Sequence, residues 1–374
     1  MSQSDQLQDS GSKHNARPRS LFTALLIGAL IFLGLILLFE GLFRWTRLDQ
    51  VFTWRSLGVY HGQFEIKWFT LKDYARQNRG VDVLLLGNSM VNTGIDPDVL
   101  SAEYETLTGE TLRVFNFGIE GLTVAPNSVI ARILAAIYHP GTIIFVTEIR
   151  DYAAANGLEI EQQLLSDEWM VARQGGEETP RAWLSANSTL LQHLLPYRNW
   201  SRADFPDTFL MQARRFADTT PSGYEADASI GENIAIPPDP ADPDEKEDFA
   251  LFANFSIDPG RLANLGEILE LGEDGTQVII TEMPVHPNYF TYFGGEQAHE
   301  RYLETLIPFI EEQGGIFLPA PDWQAIPLFA RADHHHLNNI GAILYSRMLA
   351  GELSRLCLDQ STCLRPALPV EATP

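Results

Sequence analysis

Five apolar runs constrain this chain more than any other feature: "VDVLLLG", "LRVFNFG", "GTIIFVTEI", "TQVIITEMPV" and "GIFLPA", all between Val81 and Ala320. Each is rich in Val, Ile and Leu and is scarcely interrupted by alternating polar residues, the pattern of a strand covered on both faces. Helical patterns stand between several of them, in "DPDVLSAEYETLTG", "TVAPNSVIARILAAIYHP" and "QAHERYLETLIPFIEEQGG". Strand, helix and strand joined by short loops require right-handed crossovers and therefore a parallel sheet between two helical layers. The expected fold is a flavodoxin-like three-layer α/β/α domain over 81–356 with about five strands, closed by a last helix in "NIGAILYSRMLAGELSRL". In such sheets reactive groups gather at the carboxyl ends of the strands.

A second run is of another kind. "LFTALLIGALIFLGLILLF", Leu21 to Phe39, has neither charge nor proline, and its length is close to the ~20 residues that cross a hydrocarbon layer. It predicts a transmembrane helix over 21–42, and "EGLFRWTR" follows it where a cleaved signal peptide would place small residues. Lys13, Arg17 and Arg19 precede the span while Arg44 and Arg47 follow it, a small positive-inside bias toward a cytoplasmic N-terminus. The domain is then expected outside the cytoplasm, as on a bacterial inner membrane. Residues 1–20 read as a disordered cytoplasmic tail, 43–80 as a membrane-proximal neck and 357–374 as a C-terminal tail.

The net charge of −23 over 374 residues argues against nucleic acid as a partner, since such a surface repels phosphate. In an oxidising compartment the two cysteines, Cys357 and Cys363, can close the short "CLDQSTC" loop as a disulfide. The stretch after the third apolar run is far longer than a crossover needs, an insertion over about 151–260. Within it "YEADASIGENIAIPPDPADPDEKEDFA", Tyr224 to Ala250, is rich in acid and proline and is expected to be a mobile, solvated loop or lid.

Three stretches carry chemistry. "LLLGNSM" puts Ser89 where a strand turns into a helix, so its Oγ and its backbone N–H face the same crevice. "FNFGIEGLT" follows the second strand and supplies glycines that let a substrate come close to backbone N–H groups. "RADHHHLNNIGA" precedes the last helix, and the spacing of Asp333 and His336 lets one turn set the carboxylate beside Nδ1 and leave Nε2 to act on the serine as base. A serine hydroxyl does not attack an acyl carbon at neutral pH without such a base.

Taken together these blocks resemble the SGNH, or GDSL-like, family of serine hydrolases and acyltransferases. "LLLGNSM" matches the family's Gly-Asp-Ser block with Ser89 as nucleophile, "NFGIEG" its Asn-x-x-x-x-Gly block with Asn116 and Gly121, and "DHHHLN" its Asp-x-x-His block with Asp333 and His336. Two positions depart from it. Asn88 replaces the usual Asp, and Arg150 stands where the family's third block has an oxyanion-binding Asn. The resemblance implies an oxyanion hole of Ser89, Gly121 and Arg150, unless Arg150 pairs with Asp151 and leaves the hole one donor short. Asn88, Asn116 and His286 are candidate substrate contacts, and Glu148 and Glu282 are either buried polar partners or substrate contacts.

No cofactor is expected. Neither is a metal, because three consecutive histidines, His334 to His336, do not share a face; no phosphate-binding Gly-rich loop follows the first strand. A tethered member of this family implies acetyl or other acyl transfer on an extracytoplasmic glycan, with an acylated glycan or lipid-linked substrate and a multi-spanning membrane-bound O-acyltransferase as partner. Ester hydrolysis is the nearest variant of that chemistry. A non-catalytic scaffold that binds a cell-surface glycan or that membrane partner is the alternative of a different kind.

Overall fold

The computed structural model describes residues 18–45, 54–154, 157–243, 245–252, 254–360 and 362–367. The expected N-terminal tail up to residue 17, with Lys13 and Arg17, as well as Arg47 and the last seven residues, lies outside them. Two compact units divide the chain, one holding the N-terminal helix and the other Trp54–Asn187 and Leu191–Pro374. Helix α1, Pro18–Trp45, makes up most of the first. Its Leu21–Trp45 segment, with a mean hydropathy of 2.9, is long and apolar enough to cross a membrane.

The second unit is built on five parallel strands, β1 Val83–Leu86, β2 Val114–Asn116, β3 Thr142–Thr147, β4 Gln277–Glu282 and β5 Ile316–Leu318, in the order β2-β1-β3-β4-β5. That is the doubly wound flavodoxin-like order, and its switch point lies between β1 and β3. Leu86 pairs with Phe145 there, while Thr147 pairs with Glu282 one seam further on.

Both faces of the sheet are covered, which is why the strands are apolar throughout. Leu84, Leu86, Ile143 and Phe145 join one core with α2 (Gly62–Asn78), α5 (Val124–Tyr138), α12 (Pro259–Leu269) and α13 (Glu296–Glu312). Val83, Leu85, Ile144 and Val146 join the other with α4 (Pro97–Thr108) and α14 (Asn339–Gln360). Short α3, Ser89–Gly94, bridges β1 and α4. The remaining helices lie in the long β3-to-β4 connection: α6 Leu158–Leu165, α7 Glu168–Arg173, α8 Pro180–Asn187, α9 Thr189–Leu194, α10 Phe205–Asp218 and α11 Lys246–Phe252. Cys357 and Cys363 are joined as a disulfide.

Two expectations about the organisation of the chain need correction. Residues 54–80 are no neck: α2 buries Phe64, Trp68, Phe69 and Leu71 in the core, and its Lys67 is fully buried, donating to the backbone carbonyl oxygens of Asn116 and Gly223. The domain therefore begins near Trp54, because the apolar residues of α2 recur at helical spacing and have a sheet face to cover. The acidic stretch after Tyr224 is not a simple solvated loop either. Gly231 N–H donates to the Arg331 carbonyl, Asn338 Nδ2 to Ser229 O and Asn288 Nδ2 to Ile234 O, and Ile234 is buried. Its first half is pinned to the segment that carries Asp333 and His336.

Candidate active site

At the end of β1 the chain must turn tightly beneath its neighbours. Gly87 has φ +151°, and a Cβ there would come within 2.6 Å of the Val146 carbonyl oxygen and 2.5 Å of the Val91 side chain. Only glycine fits. Asn88 then caps α3, its Oδ1 accepting the Met90 N–H at 2.9 Å, and Ser89 opens the helix at the carboxyl edge of the sheet.

On the far side of the chain Asp333 shapes the approach to α14. One carboxylate oxygen accepts the backbone N–H groups of His335 and His336 at 2.8 and 2.7 Å, and the other lies 2.7 Å from His336 Nδ1. His336 Nε2 stands 2.7 Å from Ser89 Oγ. Two residues separated by 247 positions thus meet at the mouth of the sheet. Burial opposes charge on Asp333, but the imidazoles of His335 and His336 and the backbone donors outweigh it and hold the carboxyl well below the usual carboxylate range. Burial pulls His336 down as well, and its hydrogen bond to Asp333 more than offsets that, leaving the imidazole above its ordinary value. A charged Asp333 fixes the proton on Nδ1, so that Nε2 is the atom that accepts from the serine hydroxyl.

Behind this row lies a buried polar layer. Glu148, just past β3, accepts from Asn88 Nδ2 at 2.6 Å, from the Tyr289 hydroxyl and from Arg150 Nη2 at 3.1 Å. Burial disfavours its charge, yet Arg150, the nearby histidines and these donors keep its pKa below the ordinary value. Asp151, beside it, is driven the other way, first by burial and then by the charge of Glu148. His335 stacks on Tyr289 at 4.8 Å and lies 4.0 Å from the His336 ring, and burial takes its pKa down to about 3, so it is neutral.

The structure brings Ser89, His336 and Asp333 together. The turn carrying Gly121 is tied to the end of β1 by Ile119 N–H donating to the Gly87 carbonyl, and Gly121 itself has φ +74°. Among the described residues, no hydrogen bond engages the backbone N–H of Ser89 or of Gly121. Arg150, expected either in the oxyanion hole or paired with Asp151, is ion-paired with Glu148 at 3.1 Å.

Three candidate substrate contacts are committed elsewhere. Asn88 is buried against Glu148 and Asp151. Asn116 donates to the Val91 and Ile95 carbonyls and accepts the Gly118 N–H, so it fastens the loop after Ser89. His286 caps the following turn by accepting the Asn288 N–H, with its ring against Trp323 at 4.6 Å. Glu282 meets His299 Nε2 at 3.1 Å. The Tyr289 hydroxyl and the Asn338 amide were not read from sequence as groups of the site, since their partners Glu148 and Ser229 lie far along the chain.

Two of the three adjacent histidines do converge, while His334 Nε2 lies apart, 3.1 Å from the Ile236 carbonyl oxygen. Asp333, His335 and His336 offer ligand atoms within 4.8 Å of one another, although both His336 nitrogens are already engaged, by Asp333 and by Ser89. Beside this row a cavity of about 540 Å³ runs along the carboxyl ends of β3, β4 and β5, with Glu148, Glu282, Tyr289 and Trp323 in its walls. Set against known proteins, the chain matches no family model and no curated sequence. An attacking hydroxyl, a base and an orienting carboxylate in this order are the components of nucleophilic acyl transfer.

Proposed function

We propose that this chain is a membrane-anchored SGNH-type serine enzyme that transfers or hydrolyses acyl esters, chiefly acetyl, on a glycan outside the cytoplasm. One observation carries the reading: Ser89 Oγ, the His336 ring and Asp333 form a continuous row with both contacts at 2.7 Å.

In the proposed cycle Ser89 Oγ attacks the acyl carbon as its proton passes to His336 Nε2, and Asp333 stabilises the resulting imidazolium. The backbone N–H groups of Ser89 and Gly121 receive the developing oxyanion, and Arg150 contributes its charge from the pair with Glu148. His336 returns the proton to the departing alkoxide, which leaves an acyl-serine. A glycan hydroxyl, or water in the hydrolytic variant, then attacks that ester and loses its proton to His336, which returns it to Ser89 Oγ as the bond from Oγ to the acyl carbon breaks. A bacterial inner-membrane anchor would keep the domain near an acylated glycan, a lipid-linked donor or a multi-spanning O-acyltransferase partner, raising the local concentration of the donor.

A second reading, a non-catalytic scaffold that binds glycan or that partner, is favoured by Arg150, which replaces the expected amide donor and is engaged by Glu148. The two separate in one experiment on the detergent-solubilised full chain with p-nitrophenyl acetate and a serine-directed phosphonate. Phosphonate on Ser89 that disappears in His336→Ala supports the enzyme. A folded chain that never labels supports the scaffold.

A further inference from the structure

A cavity of about 690 Å³ opens on the far edge of the sheet from Ser89. Arg79 and Tyr138 in its wall stand where α2 and α5 end, just before β1 and β3 begin, so it faces the amino ends of those strands. Its volume is ordinary for a small-ligand pocket, about 300–1,000 Å³. The floor is aromatic: Trp68, Phe69, Tyr138 and Trp169 are all buried, and the two indoles meet edge to face at 4.7 Å.

The mouth is cationic. Lys72, Arg76, Arg79 and Arg173 line it, all exposed, and among the described residues no Asp or Glu is part of the lining. Arg173 lies over the Trp169 ring at 5.4 Å, and Arg76 pairs at 3.2 Å with Asp73, which also receives Arg55 and stands outside the lining. With 49 acidic against 26 basic residues in the whole chain, an acid-free apolar opening bordered by four cations runs against the general surface.

An apolar floor beneath a cationic mouth is complementary to one class of molecule, an anionic amphiphile. A hydrocarbon chain leaves water for the aromatic floor, and a phosphate takes charge-assisted hydrogen bonds from guanidinium groups. The same polypeptide carries a helix able to cross a bilayer. We propose that this cavity takes up one acyl chain of an anionic membrane phospholipid, with the phosphate held among Lys72, Arg76, Arg79 and Arg173. This lipid site is separate from Ser89 and does not depend on acyl transfer there.

The test uses the full chain in nanodiscs containing phosphatidylglycerol with a photoreactive acyl chain, and mass spectrometry of the cross-linked peptides. Cross-links are expected on the segments holding Trp68 and Phe69 or Trp169, falling about five-fold for each cation removed in Arg79→Gln and Arg173→Gln. Ala75→Trp, which fills the cavity from its wall, is expected to abolish them; should that variant fail to fold, the two surface arginine variants still decide. Equal labelling by photoreactive phosphatidylcholine, cross-links confined to α1, or full competition by inorganic phosphate would each overturn the proposal.

Discussion

Asn88 donates its side-chain amide to Glu148 at 2.6 Å across the seam between β1 and β3. The same Nδ2 also donates to Asp151 at 3.3 Å, so one amide nitrogen serves two buried carboxyl groups beneath the serine turn. A donor is required at this position, which accounts for an asparagine where the Gly-Asp-Ser block it resembles has an acid.

Replacing that donor tests the arrangement. Asn88→Asp adds a third carboxyl group to the pair and leaves Glu148 short of a hydrogen bond, a loss of about 1–3 kcal/mol for a buried polar group. A lower melting temperature at neutral pH is expected. Unchanged stability would mean that the amide contributes nothing to the fold.

Asp333→Asn should depress ester turnover by about 10³–10⁴, since an amide no longer fixes the His336 tautomer or stabilises the imidazolium. The pH profile offers a second readout. Only neutral His336 can accept the serine proton, and Asp333 holds its pKa above the ordinary 6.5, so activity should rise through an apparent pKa above that value. In the variant the acid limb should move to lower pH; a limb that stays put would assign it to another group.

Lys67 gives a stability prediction with a definite sign. Burial lowers its pKa from 10.5 to about 7, despite the opposing charges of Glu225 and Glu120. Between those two values the unfolded chain binds more protons than the folded one, so stability from this residue rises with pH across the window. Denaturation of wild type and Lys67→Met at several pH values should show the wild type gaining on the variant from about 7 upward. A constant difference would mean that Lys67 stays protonated when folded.

The acidic connection should divide functionally at about Pro238. Asp242 N–H donates to the Asp239 carbonyl, and Glu245 and Lys246 N–H to the Asp242 carbonyl, so replacing 239–246 with a short linker should leave turnover nearly intact. Ile234 is buried, and its carbonyl accepts Asn288 Nδ2 beside Tyr289. Ile234→Ala is expected to cost about 2–5 kcal/mol locally and to lower turnover through the Asp333 loop. Equal effects of the two changes would remove this division.

Strand positions were legible because burial on both faces leaves a continuous apolar run, and α4, α5, α13 and α14 because their apolar residues recur at helical spacing; the short helices α6 to α11 of the long connection were not. Helix α2 is no neck: its Lys67 and Glu65 look solvent-facing in the sequence, yet both are buried, and Lys67 donates to backbone carbonyls. Ser89, Asp333 and His336 were recoverable from residue type, order and their places after strands. Asn116 and His286 share those residue types and places, but their hydrogen bonds turn inward to the backbone. Tyr289 gave no signal, being one aromatic in a Pro-rich loop, and His335 drew notice only within the run of three histidines, since the sequence does not show which way each ring points.

By itself, then, the sequence determined what depends on local pattern: an apolar helix long enough for a bilayer, a parallel α/β sheet, and the places of a serine after the first strand and of an aspartate and a histidine before the last helix. Tertiary structure decided the rest: which carboxylate holds Arg150, why residue 88 is an amide, where the domain begins and how the acidic connection braces the loop of His336. The physical reason is the range of the forces. Hydrophobic periodicity and turn chemistry act over a few residues, whereas hydrogen bonds and charge pairing in a buried site join groups such as Ser89 and His336, 247 positions apart, once the chain has folded.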